Sequence, residues 1–136
     1  MVNFKKNNTF THPIRTYWED TDGGGIVYYA NYLKFAERAR TEWLRALGHD
    51  QSELRDRLGI VFVVRECRVR YRAPARLDDL LDVTVAVENI TRHKIQLRQT
   101  VTRGEDVCAE LDVELVAVSA ATGALAEIPI NLAGDK

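Results

Sequence analysis

The chain has 136 residues, of which 46% are hydrophobic and 29% charged, enough apolar material for a single packed core of ordinary domain size. Its 19 Lys+Arg nearly cancel 20 Asp+Glu, so the net charge of −1 gives no general attraction to nucleic acid or to an anionic membrane. No run approaches the ~20 apolar residues of a membrane helix, and MVNFKKNNTFTHP has two lysines with no apolar stretch behind them, so a cytoplasmic protein without a secretory signal is expected.

Residues 1–136 read as one domain, with 1–9 a flexible polar tail. From Phe10 to Trp18 the chain looks extended, with Pro13 tolerable only near the start or on an edge of a strand. The polar, glycine-rich EDTDGGG follows. From about Val27 to Leu47 the pattern becomes helical: Tyr32, Phe35, Ala36, Ala39, Trp43 and Leu47 share one stripe, and Lys34, Arg38, Thr41 and Arg45 the opposite one. Gly48 is placed to end this helix. Asp50 and Glu53 resemble a capping box for a second, shorter helix through Leu58, stopped by Gly59.

The rest reads as β. Val61, Val63, Cys67, Val69 and Tyr71 alternate with Glu66, Arg68, Arg70 and Arg72, and Pro74 closes the strand. Leu81 to Val87, Ile95 to Val101 and Val107 to Leu115 give three more alternating runs. The turns at Asn89 to Lys94 and Arg103 to Asp106 are short enough for hairpins, so a largely antiparallel sheet is expected. Cys67 and Cys108 lie in these strands with no CxxC spacing, and read as reduced packing residues. The fold class is α+β: one sheet buries a face against the only large helix. The edge strands and apolar surface of such a sheet commonly pair with a second copy, so at least a dimer is expected.

Chemistry concentrates where Glu19, Asp20 and Asp22 stand beside Gly23, Gly24 and Gly25, directly before the helix. A carboxylate can act as base or nucleophile, and unpaired N–H groups at a helix N-terminus can hold a carbonyl oxygen as negative charge develops. The alternative is a capping turn in which Asp22 accepts N–H bonds. Three successive glycines are costly to order, which favours a working loop, but composition does not choose among the three carboxylates. His12, His49 and His93 are scattered, with no HxxxH or Cys/His spacing, and there is no G-x-S-x-G elbow, so no metal, cofactor or serine triad is expected.

EDTDGGGIVYYANYLKFAERAR and GIVFVVRECRVRYRAPARLDDLLDV together resemble the hotdog-fold thioesterases of the 4-hydroxybenzoyl-CoA thioesterase family, closest to the Tol-Pal-associated acyl-CoA thioesterase branch. The likeness extends over nearly the whole chain. It implies a hotdog fold, with an antiparallel sheet wrapped around one long central helix, and hydrolysis of acyl-CoA thioesters. By position it assigns Asp22, the second aspartate of the D-x-D pair, as base or nucleophile. The Tyr29 backbone N–H becomes the oxyanion donor, with Gly25 and Val27 shaping the turn.

The branch usually carries V-Y-H where this chain has Val27-Tyr28-Tyr29, which removes the histidine from any proton transfer and leaves the backbone donor. The acyl chain is expected along the helix near Tyr32 and Phe35. Arg92, His93 and Lys94 are expected to meet the CoA phosphates, often across a subunit boundary in related enzymes, against the alternative of a solvated turn. Arg68, Arg70 and Arg72 read first as solvated surface. The family habit is a homotetramer, two dimers. Two other readings compete: a non-catalytic hotdog module binding acyl-CoA or acyl carrier protein, and a dehydratase, which ranks low because no histidine lies in the motif.

Overall fold

The computed structural model describes residues 9–129; the expected tail lies outside the described residues except for Thr9, which opens the first strand. In chain order the elements are β1 (Thr9–Arg15), a 3₁₀ turn (Trp18–Asp20), α1 (Asn31–Ala46), α2 (Gln51–Glu53) running into a π turn (Leu54–Leu58), then β2 (Ile60–Tyr71), β3 (Leu80–Ile90), β4 (Lys94–Arg103) and β5 (Asp106–Ser119). The five strands form one antiparallel sheet in the order β1-β3-β4-β5-β2. One strand, a long helix and four antiparallel strands is the arrangement the alternation predicts, and it is the hotdog fold.

The expected apolar stripe of α1 packs as read. Phe35, Ala36, Ala39 and Trp43 have no exposed surface, Tyr32 and Leu44 almost none, and Leu47 is half-buried. Against them lie the inward residues of β3, β4 and β5, including Val83, Val85, Leu97, Val101 and Leu111. Burying a side chain of this size contributes about 1.5–3 kcal/mol, which makes this layer the main source of stability. One inward position is polar. Gln99 on β4 is fully buried, accepts a bond from Arg40 Nη1 at 2.9 Å, and donates to the carbonyls of Ala36 at 3.1 Å and Thr84 at 3.2 Å. It fixes the height of α1 over the sheet.

The helix begins at Asn31, four residues later than its periodicity suggests. The reason is local: Val27 N–H donates to Ala75 O at 2.8 Å and Tyr28 N–H to Asp20 O at 2.9 Å, so these residues are held by neighbouring segments. At the other end Gly48, with φ +90°, turns the chain, and His49 N–H reaches back to Leu44 O at 2.8 Å. Asp50 caps the following short helix by accepting from Ser52 N–H at 2.9 Å.

Strand β2 departs from the expected uninterrupted alternation. A bulge lies between Val64 and Glu66, so the inward residues are Phe62 and Val64 before it and Cys67, Val69 and Tyr71 after it, each opposite an inward residue of β5. Val61 and Val63, grouped by simple alternation with Cys67, therefore face outward. As the last strand of the sheet, β2 keeps much of this inward face uncovered: Val64 is 48% and Tyr71 46% exposed, and Cys67 is exposed where a packed cysteine was expected. Cys108 is buried as anticipated.

Candidate active site

The acidic loop is built by glycines in conformations other residues rarely adopt. Gly23 has φ +88° and Gly25 φ +90°, and a Cβ on Gly24 would stand 3.2 Å from Asp22 Oδ1. The loop is interlocked with the segment after β2: Leu77 N–H donates to Gly25 O at 2.9 Å, Ile26 bridges Arg76, and Val27 takes the bond to Ala75 already noted. Buried Thr16 ties the end of β1 to the same segment through Arg76 O and Asp79 O.

This geometry separates the three carboxylates that composition left equivalent. Asp20 is buried, its Oδ2 accepting from Tyr17 N–H at 2.8 Å and its carbonyl from Tyr28 N–H and Asn31 Nδ2, so it is a structural tie. Glu19 lines a different hollow with His12, Arg15 and Arg38. Asp22 is exposed and, among the described residues, its side chain accepts only from Gly24 N–H, at 2.8 Å. That bond is the capping-type turn weighed as the alternative reading, and it engages one oxygen of the two.

The start of the helix has the donors that an oxyanion requires. Asn31 N–H closes a turn onto Tyr28 O at 2.9 Å, and the N–H groups of Tyr29 and Ala30 inside that turn have no acceptor among the described residues. They carry the positive end of the α1 dipole. Beside them opens a cleft of about 240 Å³ whose lining includes Val27, Tyr29, Tyr32, Tyr71, Arg72 and Pro74. Its aromatic walls pack on one another: Tyr29 and Tyr71 meet edge to face with ring centroids 5.9 Å apart, and Tyr71 and Tyr32 are tilted at 57° with centroids 5.6 Å apart. Burial pushes the Tyr32 hydroxyl up from its usual pKa, and desolvation together with neighbouring Tyr29 does the same for Tyr71, so both stay neutral.

Of the sequence candidates, Tyr29 and Tyr32 line this cleft, while Asp22 and Gly25 lie in the preceding loop, which the Asp22 N–H to Ile26 O and Tyr28 N–H to Asp20 O bonds tie to the head of the helix. Phe35 is wholly buried and packs against the inner side of the Tyr32 ring at 6.0 Å; it backs the cleft wall without reaching the cleft. Arg92, His93 and Lys94 occupy the β3–β4 turn, at the far end of β3 from this loop, about 30 Å away along an eleven-residue strand rising ~3.3 Å per residue. The sequence reading missed Asn31, which braces Asp20 O, and Tyr71, whose hydroxyl donates to Tyr29 O at 3.3 Å. Neither was legible by spacing, because each acts across segments far apart in sequence or through a backbone atom.

Comparisons with known proteins converge. The family described as the thioesterase-like superfamily matches residues 16–134. Acyl-CoA thioesterase YbgC of Haemophilus influenzae is 40% identical over 112 residues, 82% of this chain and 82% of that one. Acyl-CoA thioester hydrolase YbgC of Escherichia coli O157:H7 is 41% identical over 110 residues, 80% of this chain and 81% of its own. Among solved structures, a probable thioesterase from Bartonella henselae superposes with a TM-score of 0.85 at 29% identity, covering 90% of this chain and all of that one.

Proposed function

The chain belongs to the thioesterase-like superfamily, and from that premise we propose that it hydrolyses acyl-CoA thioesters at the Asp22 loop. The observation that carries the residue assignment is the unequal use of the loop's groups: Asp20 is buried and tied, whereas exposed Asp22 has one oxygen engaged by Gly24 N–H, and the Tyr29 and Ala30 N–H groups at the head of α1 have no acceptor among the described residues. In this reading the thioester carbonyl oxygen sits against the Tyr29 N–H. Asp22 either takes a proton from the attacking water or attacks the carbonyl carbon itself. In the first case the water oxygen adds to the carbonyl carbon, the C–S bond breaks, and the proton held by Asp22 passes to the CoA thiolate, leaving the carboxylic acid. In the second, C–S cleavage leaves an acyl–Asp22 anhydride, which water hydrolyses to the acid and the free carboxylate, the other water proton going to the CoA thiolate. One well-aimed oxyanion donor is worth about 2.7–4 kcal/mol of barrier. Tyr29 contributes its backbone, so a tyrosine where the branch has histidine is compatible with this chemistry.

The CoA nucleotide is assigned to Arg92, His93 and Lys94; their distance from the loop of their own chain supports a reading in which they serve the loop of a second copy. The free edge of β2, twelve residues long with Val64, Cys67 and Tyr71 uncovered on its inward face, supports a dimer that continues the sheet. Two such dimers would make the tetramer. A cytoplasmic location belongs to the same proposal; no helix among the described residues is long and apolar enough to cross a membrane.

The deciding experiment presents the purified protein with a panel of aliphatic and aromatic acyl-CoAs and a thiol reagent. Wild type releases free CoA, and Asp22→Asn does not, while still binding the ligand. If both were inert yet bound acyl-CoA or acyl carrier protein equally, a binding module would replace the hydrolase. A solution mass measurement settles the assembly.

A further inference from the structure

The peptide at Tyr29 is weakly held from within the helix. Its carbonyl receives the Tyr32 N–H at 3.4 Å, well beyond the ~2.9 Å usual for such bonds. The preceding side of the turn is firmly anchored by Tyr28 N–H on Asp20 O and Asn31 N–H on Tyr28 O, both 2.9 Å. What completes the clamp comes from a different strand. Tyr71, the last residue of β2, donates its hydroxyl to the same Tyr29 carbonyl at 3.3 Å, a second long bond, and adds ring contacts to it: it packs edge-on against the Tyr29 ring at an interplanar angle of 88° and rests on Tyr32. Tyr32 is itself immobilised, because it is buried and its hydroxyl accepts from Ala75 N–H at 3.0 Å.

We infer that Tyr71 is a positioning residue for the oxyanion donor, holding the Tyr29 backbone so that its N–H faces the cleft. This rests on the hydrolase reading above and adds a residue that the family resemblance does not assign. The Tyr29 C=O and N–H belong to adjacent peptide planes joined at one Cα, so fixing the carbonyl narrows the rotation available to the turn that carries the donor. Tyr71 also lies on the inward face of the uncovered edge strand. Whatever orders β2, including a second copy, therefore also orders the oxyanion turn.

Tyr71→Phe keeps the ring and removes the hydroxyl. A net hydrogen bond of about 0.5–1.5 kcal/mol corresponds to a ~2–10-fold loss. The expected result is a fall of that size in kcat with KM within twofold and an unchanged melting temperature, and Tyr71→Leu should lose more. In ¹⁵N-labelled protein the Tyr29 amide resonance should move in Tyr71→Phe, a readout that needs no turnover. A wild-type kcat in Tyr71→Phe, or a loss expressed wholly in KM, overturns the inference, as does an unmoved Tyr29 resonance. A wild type inert toward every thioester overturns the hydrolase reading instead, and the resonance then decides alone whether the clamp exists.

Discussion

The two ends of the sheet use polar groups in opposite ways. At the β3–β4 turn the cations are engaged: Arg92 pairs with Glu127 at 2.5 Å, His93 Nδ1 meets Ala126 O at 2.8 Å, and Lys94 lies 3.9 Å from Glu114. At the other end the backbone of Asp20 to Val27 is laced to Ala75 and Leu77, while the Asp22 carboxylate and the Tyr29 N–H keep bonding capacity. The candidate site is a backbone tied down by hydrogen bonds with a few groups left unsatisfied. Exposed pairs such as Arg92–Glu127 contribute only about 0–1 kcal/mol, so the far turn keeps its cations available to a ligand at little cost.

The contrast breaks most sharply at Asp22. Asp22→Asn is expected to lower kcat by at least ~10²-fold, the scale of positioned acid–base groups, without changing the melting temperature, because the amide oxygen can still accept from Gly24 N–H. A tenfold fall or less, measured under saturating acyl-CoA, would move the chemistry elsewhere. Gly25→Ala tests the backbone instead: at φ +90° a side chain costs about 1–3 kcal/mol, so melting should drop by several degrees and kcat should fall with it. An alanine variant as stable and active as wild type would mean that the loop tolerates another path.

At the opposite end, Arg92→Gln should raise KM for acyl-CoA ~3–10-fold, as loss of one charge-assisted contact would, and leave KM for the matching acyl-pantetheine unchanged. Equal behaviour of the two substrates would confine that turn to a structural role. The smallest effect is the pH dependence of Tyr71. Its pKa is raised above the usual 10.0 by desolvation first, so the folded state favours the neutral phenol. That contribution is complete below the unfolded pKa and lost as pH rises through the folded value. Wild type and Tyr71→Phe should melt together from pH 7 to 9, and wild type should fall below the variant above pH 10; curves that stay together above 10 would mean that the hydroxyl titrates alike folded and unfolded.

Much of this was legible in the order of residues. Periodicity placed α1 and the strands because a single face of each is buried, and the bare pattern of three glycines after an acidic pair marked the loop. It did not reveal the start of α1, where tertiary bonds from Asp20 and Ala75 override a helical pattern, or the bulge in β2, where one inserted residue reverses the phase of Val61 and Val63. Gln99, polar at an inward position between Leu97 and Val101, is the buried contact that seats the helix, a role that alternation alone does not show. The choice of Asp22 over Asp20 came from resemblance; the hydrogen bonds of Asp20 now give it a physical basis. Phe35, expected beside the acyl chain, is buried behind Tyr32, and a helical stripe does not distinguish a cleft wall from the packing behind it.

Strand β2 precedes β5 in the chain by more than thirty residues, yet β5 is its only neighbour in the sheet. During synthesis Ile60 to Tyr71 therefore emerges as an extended, apolar-faced segment whose partner has not yet been made, the situation in which nascent chains associate wrongly. The arginines at 65, 68, 70 and 72, most of them on the face away from α1, are suited to act as gatekeepers in that interval. Neutralising them should show first as lost soluble yield, with the folded protein little changed.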